Sequence, residues 1–194
     1  MKLLAGRAGQ LIDYSSLAND VGVSAKTIKH WLSVLEASYI IYKLAPYFEN
    51  FGKRVIKSPK YYFIDTGLLT FLLGIENAKQ VSRDPLIGQM FENLVVIEAL
   101  KTRANQGKLA NLYFYRDSNG NEADLLFQNG RELTAVEIKS SATYKTALLK
   151  GLNKVVALSN TITQSYLVYA GEFMSFSGKT TALNFTQVQK IFEE

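Results

Sequence analysis

Residues 122–139, EADLLFQNGRELTAVEIK, decide how the rest of the chain is read. Asn129-Gly130 divides two runs of strand-forming residues and predicts a two-residue type I′ turn between strands 122–128 and 131–139. The run before it, 111–117 (NLYFYRD), and the SNGN turn make the unit a three-stranded meander. With Gln128 opposite Arg131, Asp124 lies opposite Ala135 and Glu122 opposite Glu137. Alternate residues share a face, so Glu122, Asp124, Glu137 and Lys139 fall together. Asp124 and Glu137 are then diagonal neighbours roughly 7–8 Å apart at the backbone, a span that one ion can bridge. A hard cation such as Mg²⁺ binds through one or two carboxylates and keeps several waters. Beside a phosphodiester it stabilises charge and generates hydroxide, while Lys139 adds a fixed positive charge. The same alternation also describes an amphipathic hairpin, with Ala123, Leu125, Phe127, Val136 and Ile138 buried and the charged face in water.

The preceding segment bears on that choice. Asp84-Pro85 supplies an N-cap and a first-turn proline for a helix running to about Ala104. Ile87, Phe91, Leu94, Val95 and Ile97 form its apolar side. Glu92 falls at the core-facing edge, where an unpartnered carboxylate is costly. A helix with an inward glutamate, a meander bearing Asp…Glu-x-Lys, a helix at about 143–158 and a strand at 165–170 resembles the PD-(D/E)XK restriction-endonuclease-like fold. That resemblance implies that Glu92, Asp124 and Glu137, with the Ile138 carbonyl, ligate Mg²⁺ or Mn²⁺, and that Lys139 is catalytic. Ala123 stands where the namesake proline would be.

Composition narrows the function classes. The chain has 194 residues, 47% apolar content and no cysteine, so thiolate metal sites and cysteine nucleophiles are excluded. His30 is the single histidine, which argues against histidine triads and His-rich zinc sites. No apolar run reaches the ~18–20 residues of a membrane span, so a cytoplasmic protein without a membrane partner is expected. Residues 1–64 hold nine Lys/Arg against four Asp/Glu, whereas the remainder is balanced. That asymmetry suits a nucleic-acid-binding unit joined to a neutral one.

The basic third reads as a winged helix-turn-helix. Ser15 or Ser16 caps a short helix, Gly22 turns the chain, and Ser24 caps a second helix with Ile28, Trp31, Leu32 and Leu35 inward. Lys26, Lys29, His30 and Ser33 share its outer face, placed to enter a major groove. Strands at 39–48 and 61–64 flank a loop with Lys53, Arg54, Lys57 and Lys60, which are expected to contact phosphates. Many such units serve only as protein–protein spacers. Asp65-Thr66-Gly67 opens a short helix closed by Gly74, and 76–84 reads as a polar surface loop.

These motifs, in their order, resemble the C-terminal region of prokaryotic AAA-type ATPases, a region classed as a domain of unknown function. The stretches LAGRAGQLIDYSSLANDVGVSAKTIKHWLSVLEASYIIYKLAPY, FGKRVIKSPKYYFIDTGLLTFLLG, GQMFENLVVIEALK, LYFYRDSNGNEADLLF and AVEIKSS carry the likeness over about residues 2–190. The resemblance implies an α/β (α+β) chain: a winged helix-turn-helix at 1–64, then a nuclease-like mixed sheet flanked by helices at 65–194. It also implies an N-terminal ATPase domain as partner, so the chain reads as a C-terminal fragment without a Walker A loop. Gly178-Lys179-Thr180 imitates the end of a P-loop, but Phe173 occupies the required glycine position and TALNF follows as strand, so a hairpin between 172–176 and 181–185 is expected. Two readings stay open: a Mg²⁺-dependent DNA endonuclease, or a non-catalytic DNA- or protein-binding attachment that targets the ATPase.

Overall fold

The structure is a computed structural model, and it describes residues 1–48, 55–175 and 180–193. The chain forms two compact units, Met1–Leu44 with Ser58–Ile97, and Ala45–Lys57 with Glu98–Glu194. This division differs from the expected one at residue 64. Two elements are shared between the units: the strand Ile41–Pro46 changes partner after Leu44, and the helix Ile87–Asn105 runs past Ile97.

In the first unit, α1 (Lys2–Ala5), α2 (Tyr14–Val21) and α3 (Ala25–Ala37) precede the pair β1 (Ile41–Pro46) and β2 (Lys60–Phe63). Asp13, rather than Ser15 or Ser16, caps α2, accepting from the Ser15 and Ser16 amides at 2.9 and 3.1 Å. A carboxylate outcompetes the hydroxyls because it also offsets the positive end of the helix dipole. Gly22 closes α2 with φ +77°, and Ser24 caps α3 by accepting from Thr27 N at 3.1 Å. Leu17, Ala18, Ile28 and Leu32 pack into one core with Ile41, Tyr61 and Phe63. Trp31 departs from the expected inward stripe and is 46% exposed. Asp65 caps α4 (Thr66–Leu72), and Gly74 follows with φ +78°. The expected loop at 76–84 contains α5 (Ala78–Val81), nucleated by a capping box between Asn77 and Gln80.

The first part of α6 (Ile87–Asn105) completes this unit. Its Asn93 is fully buried and replaces a strand neighbour for β2, accepting from Phe63 N at 2.7 Å and donating to Phe63 O at 2.9 Å.

The second unit is a mixed sheet flanked by helices. Its strands are β3 (Leu112–Arg116), β4 (Glu122–Asn129), β5 (Glu132–Lys139), β6 (Ile162–Tyr169), β7 (Met174–Ser175) and β8 (Thr180–Asn184). The order is β3-β4-β5-β6-β8-β7, with Ala45 and Pro46 of β1 added in parallel beside β3. The meander is antiparallel, whereas β5, β6 and β8 run parallel. A parallel crossover needs a covering element, and here it is a 3₁₀ turn (Thr146–Leu149) leading into α7 (Lys150–Val156). Leu149, Leu152 and Val155 pack on Leu126, Leu133 and Ala135. Phe127 projects from the opposite face and meets Phe192 of the C-terminal 3₁₀ segment (Phe185–Phe192) edge-on at 4.9 Å. Both faces of the hairpin are therefore covered, so the solvated-face expectation does not hold for it. β7 and β8 pair antiparallel as expected, and residues 176–179 between them lie outside the described residues.

Candidate active site

The hairpin register differs by two residues from the sequence expectation. Asn129 pairs with Glu132, so the turn is Gly130-Arg131 rather than Asn129-Gly130. Gly130 takes φ +60° while Arg131 keeps a negative one, the pattern of a type II′ turn with glycine first. A shift of two preserves which face each side chain occupies, so Asp124 and Glu137 still share one. The shift also places them in opposite rather than diagonal alignment, one step beyond the last paired residues, Leu125 and Val136.

At that step the ladder changes character. Ile138 N–H donates to Asp124 Oδ2 at 2.8 Å, so a side chain takes the place of a backbone acceptor. A register shift between Tyr113 and Tyr115 on the β3 side accompanies it. Such irregularities re-aim side chains at sheet ends. Asp124 and Glu137 are only 7% and 8% exposed. Lys139 Nζ lies 2.6 Å from Glu137 Oε1 and 3.6 Å from Asp124 Oδ2. Glu122, at the start of β4, pairs with Arg116 Nη1 at 3.0 Å. Gly151 of α7 lies over this face, where a Cβ would meet both Glu137 oxygens at 3.8 Å.

Two carboxylates and one lysine leave the cluster short of positive charge. Burial and the Asp124 carboxylate push the Glu137 carboxyl up to about 7, against the opposing pull of Lys139. The oxygen-only donor set matches a hard cation held by two carboxylates and water. Among the described residues there is no group of three or more His, Cys, Asp and Glu suited to enclosing a metal.

The other expected site residues fall elsewhere. Glu92 belongs to the first unit, where its Oε1 accepts from Lys60 Nζ at 3.0 Å and from Tyr62 OH at 2.6 Å. Lys60, expected to contact phosphate, is only 3% exposed and ion-paired with Glu92, and this corrects that assignment. The all-buried strand β2 holds its ammonium inside, away from any nucleic acid. Neither Tyr62 nor Asn93 was singled out in the sequence, because a tyrosine in KYYF and an asparagine mid-helix carry no spacing signal.

Lys26, Lys29, His30 and Ser33 are all exposed on α3, with the Lys29 ammonium 5.0 Å from the Tyr14 ring centre. Lys57 is exposed but belongs to the second unit, where its neighbour Ile56 donates from its backbone N to Arg116 O at 3.0 Å. Lys53 and Arg54 lie outside the described residues. No helix among the described residues is long and apolar enough to cross a membrane.

Comparison with known proteins adds two family matches. Residues 1–79 match one domain of unknown function (DUF8612), and residues 87–188 match another (DUF4143). An uncharacterized protein of Mycobacterium tuberculosis is 33% identical over 141 residues, covering 73% of this chain and 31% of the relative. Its Mycobacterium bovis counterpart gives the same figures. An uncharacterized Haemophilus influenzae protein is 29% identical over 143 residues, covering 70% of this chain and 32% of the relative. The chain thus spans about a third of the length of these relatives.

Proposed function

Since the chain belongs to the DUF4143 family of unknown function, its chemistry must be read from its own residues, and we propose a divalent-metal-dependent DNA endonuclease module of the restriction-endonuclease-like kind. The observation that carries this reading is the Asp124–Glu137–Lys139 cluster, two buried carboxylates on neighbouring β4 and β5 served by one partly exposed ammonium. Asp124 and Glu137, with the Ile138 carbonyl, would hold Mg²⁺ or Mn²⁺. Such an ion lowers the charge on a phosphodiester and acidifies a bound water. Asp124 is oriented for that role by the Ile138 N–H. Glu137, with a carboxyl pushed up to about 7 in the metal-free chain, would give up that proton on taking the cation. Lys139 supplies a fixed positive charge to the phosphate in the transition state. The exposed Lys26, Lys29, His30 and Ser33 face of α3 would bind duplex DNA, with the first unit as its winged helix. The unmatched length of the relatives leaves room for the ATPase domain that the sequence motifs imply.

A second reading is a non-catalytic DNA- or protein-binding attachment. It is favoured by the ion pairs that Lys139 makes with both carboxylates, and by the engagement of Glu92 with Lys60 and Tyr62. Calorimetric titration with Mn²⁺ and nicking of supercoiled plasmid separate the two. Under the nuclease reading the protein binds Mn²⁺ and nicks, Asp124→Ala loses both, and Lys139→Ala loses only nicking. A folded protein that binds no Mn²⁺ at millimolar concentration leaves the attachment reading standing.

A further inference from the structure

On the face of the sheet opposite the carboxylates, Arg103 of α6 occupies an unusual electrostatic position. It is only 7% exposed, yet among the described residues no carboxylate lies within ion-pair distance of it. Its Nε donates to Leu109 O at 3.1 Å and its Nη1 to Gln106 Oε1 at 3.4 Å, both neutral acceptors. The guanidinium lies 4.7 Å from the Phe127 ring centre and 6.0 Å from that of Phe192. Ring faces and neutral oxygens fix its plane without cancelling its charge. Burying a cation this way is costly unless a counter-charge arrives.

Arg103 lines a cleft of about 360 Å³. That is at the small end of metabolite-sized sites and larger than a bare phosphate or carboxylate would fill. Thr134 and Gln164 on neighbouring strands, with Asn129 before the turn, add amide and hydroxyl groups to its lining, and Lys108, Glu132 and Glu193 add charge of both signs at its edge. Nη2 makes no hydrogen bond to the described residues, so the guanidinium keeps a donor for a ligand. We propose that this cleft binds a small molecule through a terminal oxyanion, phosphate or carboxylate, received by Arg103. The rest of the ligand would lie along the polar wall. The site is separate from the Asp124 cluster, because strand alternation sends Phe127 and Thr134 to one face and Asp124 and Glu137 to the other.

The test is an amide and arginine-side-chain NMR titration of the metal-free protein with inorganic phosphate, adenosine monophosphate and glutarate. Saturable shifts at Arg103 Nε–H, Asn129 and Gln164 are expected. A tighter response to adenosine monophosphate than to phosphate identifies a phosphorylated ligand, and a response to glutarate alone identifies a carboxylate. Arg103→Gln should weaken binding at least about tenfold, as expected for loss of a charge-assisted hydrogen bond. Thr134→Phe, which fills the cleft while keeping Arg103, should do the same and decides the matter if Arg103→Gln does not fold. Glu137→Gln should leave these shifts unchanged, which separates this site from the proposed metal centre. Absence of saturable shifts in the wild type, or undiminished binding in either folded variant, overturns the proposal.

Discussion

The Lys60–Glu92–Tyr62 cluster of the first unit and the Asp124–Glu137–Lys139 cluster of the second each hold one ammonium, but the first sets it against one carboxylate and the second against two. In the first, one carboxylate receives an ammonium and a phenol, so its charge is met. In the second, one partly exposed ammonium serves two buried carboxylates, and the Glu137 carboxyl rises to about 7 in consequence. A met charge holds a fold in place. An unmet one is what a cation would answer under the proposed reading, and functional sites concentrate such perturbed groups.

The largest expected effect breaks the matched cluster. Lys60→Ala leaves the Glu92 carboxylate of the first unit with the Tyr62 phenol but without its ammonium, and removal of one partner of a buried pair costs about 3–5 kcal/mol. Lys139→Ala removes a partly exposed ammonium whose charge a proton on Glu137 can replace, and should cost less, about 1–2 kcal/mol near neutral pH. Urea denaturation of both proteins reads the contrast. Equal losses would mean that the two clusters do not differ in kind.

The second prediction uses pH. The Glu137 carboxyl is raised from 4.5 to about 7 in the folded chain, so between those values the folded protein holds a proton that the unfolded chain has released. Stability attributable to this group therefore falls as pH rises through that window, by up to about 3 kcal/mol, and is flat above it. Glu137→Gln removes the dependence and should be the more stable protein at pH 8, by about 2 kcal/mol after loss of the Lys139 contact. Denaturation midpoints at pH 5, 6, 7 and 8 check it. A wild-type and variant pair that stay parallel across this range would contradict the assignment.

The third prediction joins the proton to the metal. If Mn²⁺ binds the Glu137 carboxylate, it competes with that proton, and its apparent affinity should fall up to about tenfold per pH unit below 7. Calorimetry at pH 8, 7 and 6 in buffers of different ionisation enthalpy measures the proton released. Binding that is independent of pH would exclude Glu137 as a ligand.

What the sequence made legible follows from what each residue's signal depends on. Period-two alternation assigned Asp124, Glu137 and Lys139 to one face even though the register was wrong by two, because a shift of two leaves the pleat unchanged. The turn is not legible from its residues, since Asn-Gly suits a type I′ turn but Gly-Arg with glycine first closes the hairpin as type II′. The hydrophobic stripe of α3 was legible at Ile28 and Leu32 but not at Trp31, because amphipathic spacing says nothing about what stands opposite. Burial of the charged face could not be read locally either. It depends on α7, which arrives through a parallel crossover. Lys60 looked like a surface cation because its partner, Glu92, is distant in sequence. Arg103 carries no motif, and its lack of an ion-pair partner among the described residues exists only in three dimensions.

The smallest effect compares two lysines of the first unit that the sequence placed in one class. Lys60 is inside and paired, whereas Lys26 is exposed on α3 beside Lys29 and His30. Lys26→Ala should therefore leave the denaturation midpoint within about 0.5 kcal/mol of the wild type, as surface substitutions do. Its cost should fall on DNA binding instead. If Lys26 neutralises one phosphate, the slope of log K against log salt on duplex DNA should become shallower by about 0.9. Lys26 and Lys29 replaced together should remove about two such contacts, and fluorescence anisotropy from 50 to 200 mM salt resolves that difference. An unchanged slope in the double variant would take DNA away from this face. The first unit would then be a protein-binding spacer, with its exposed Trp31 as the first residue to examine.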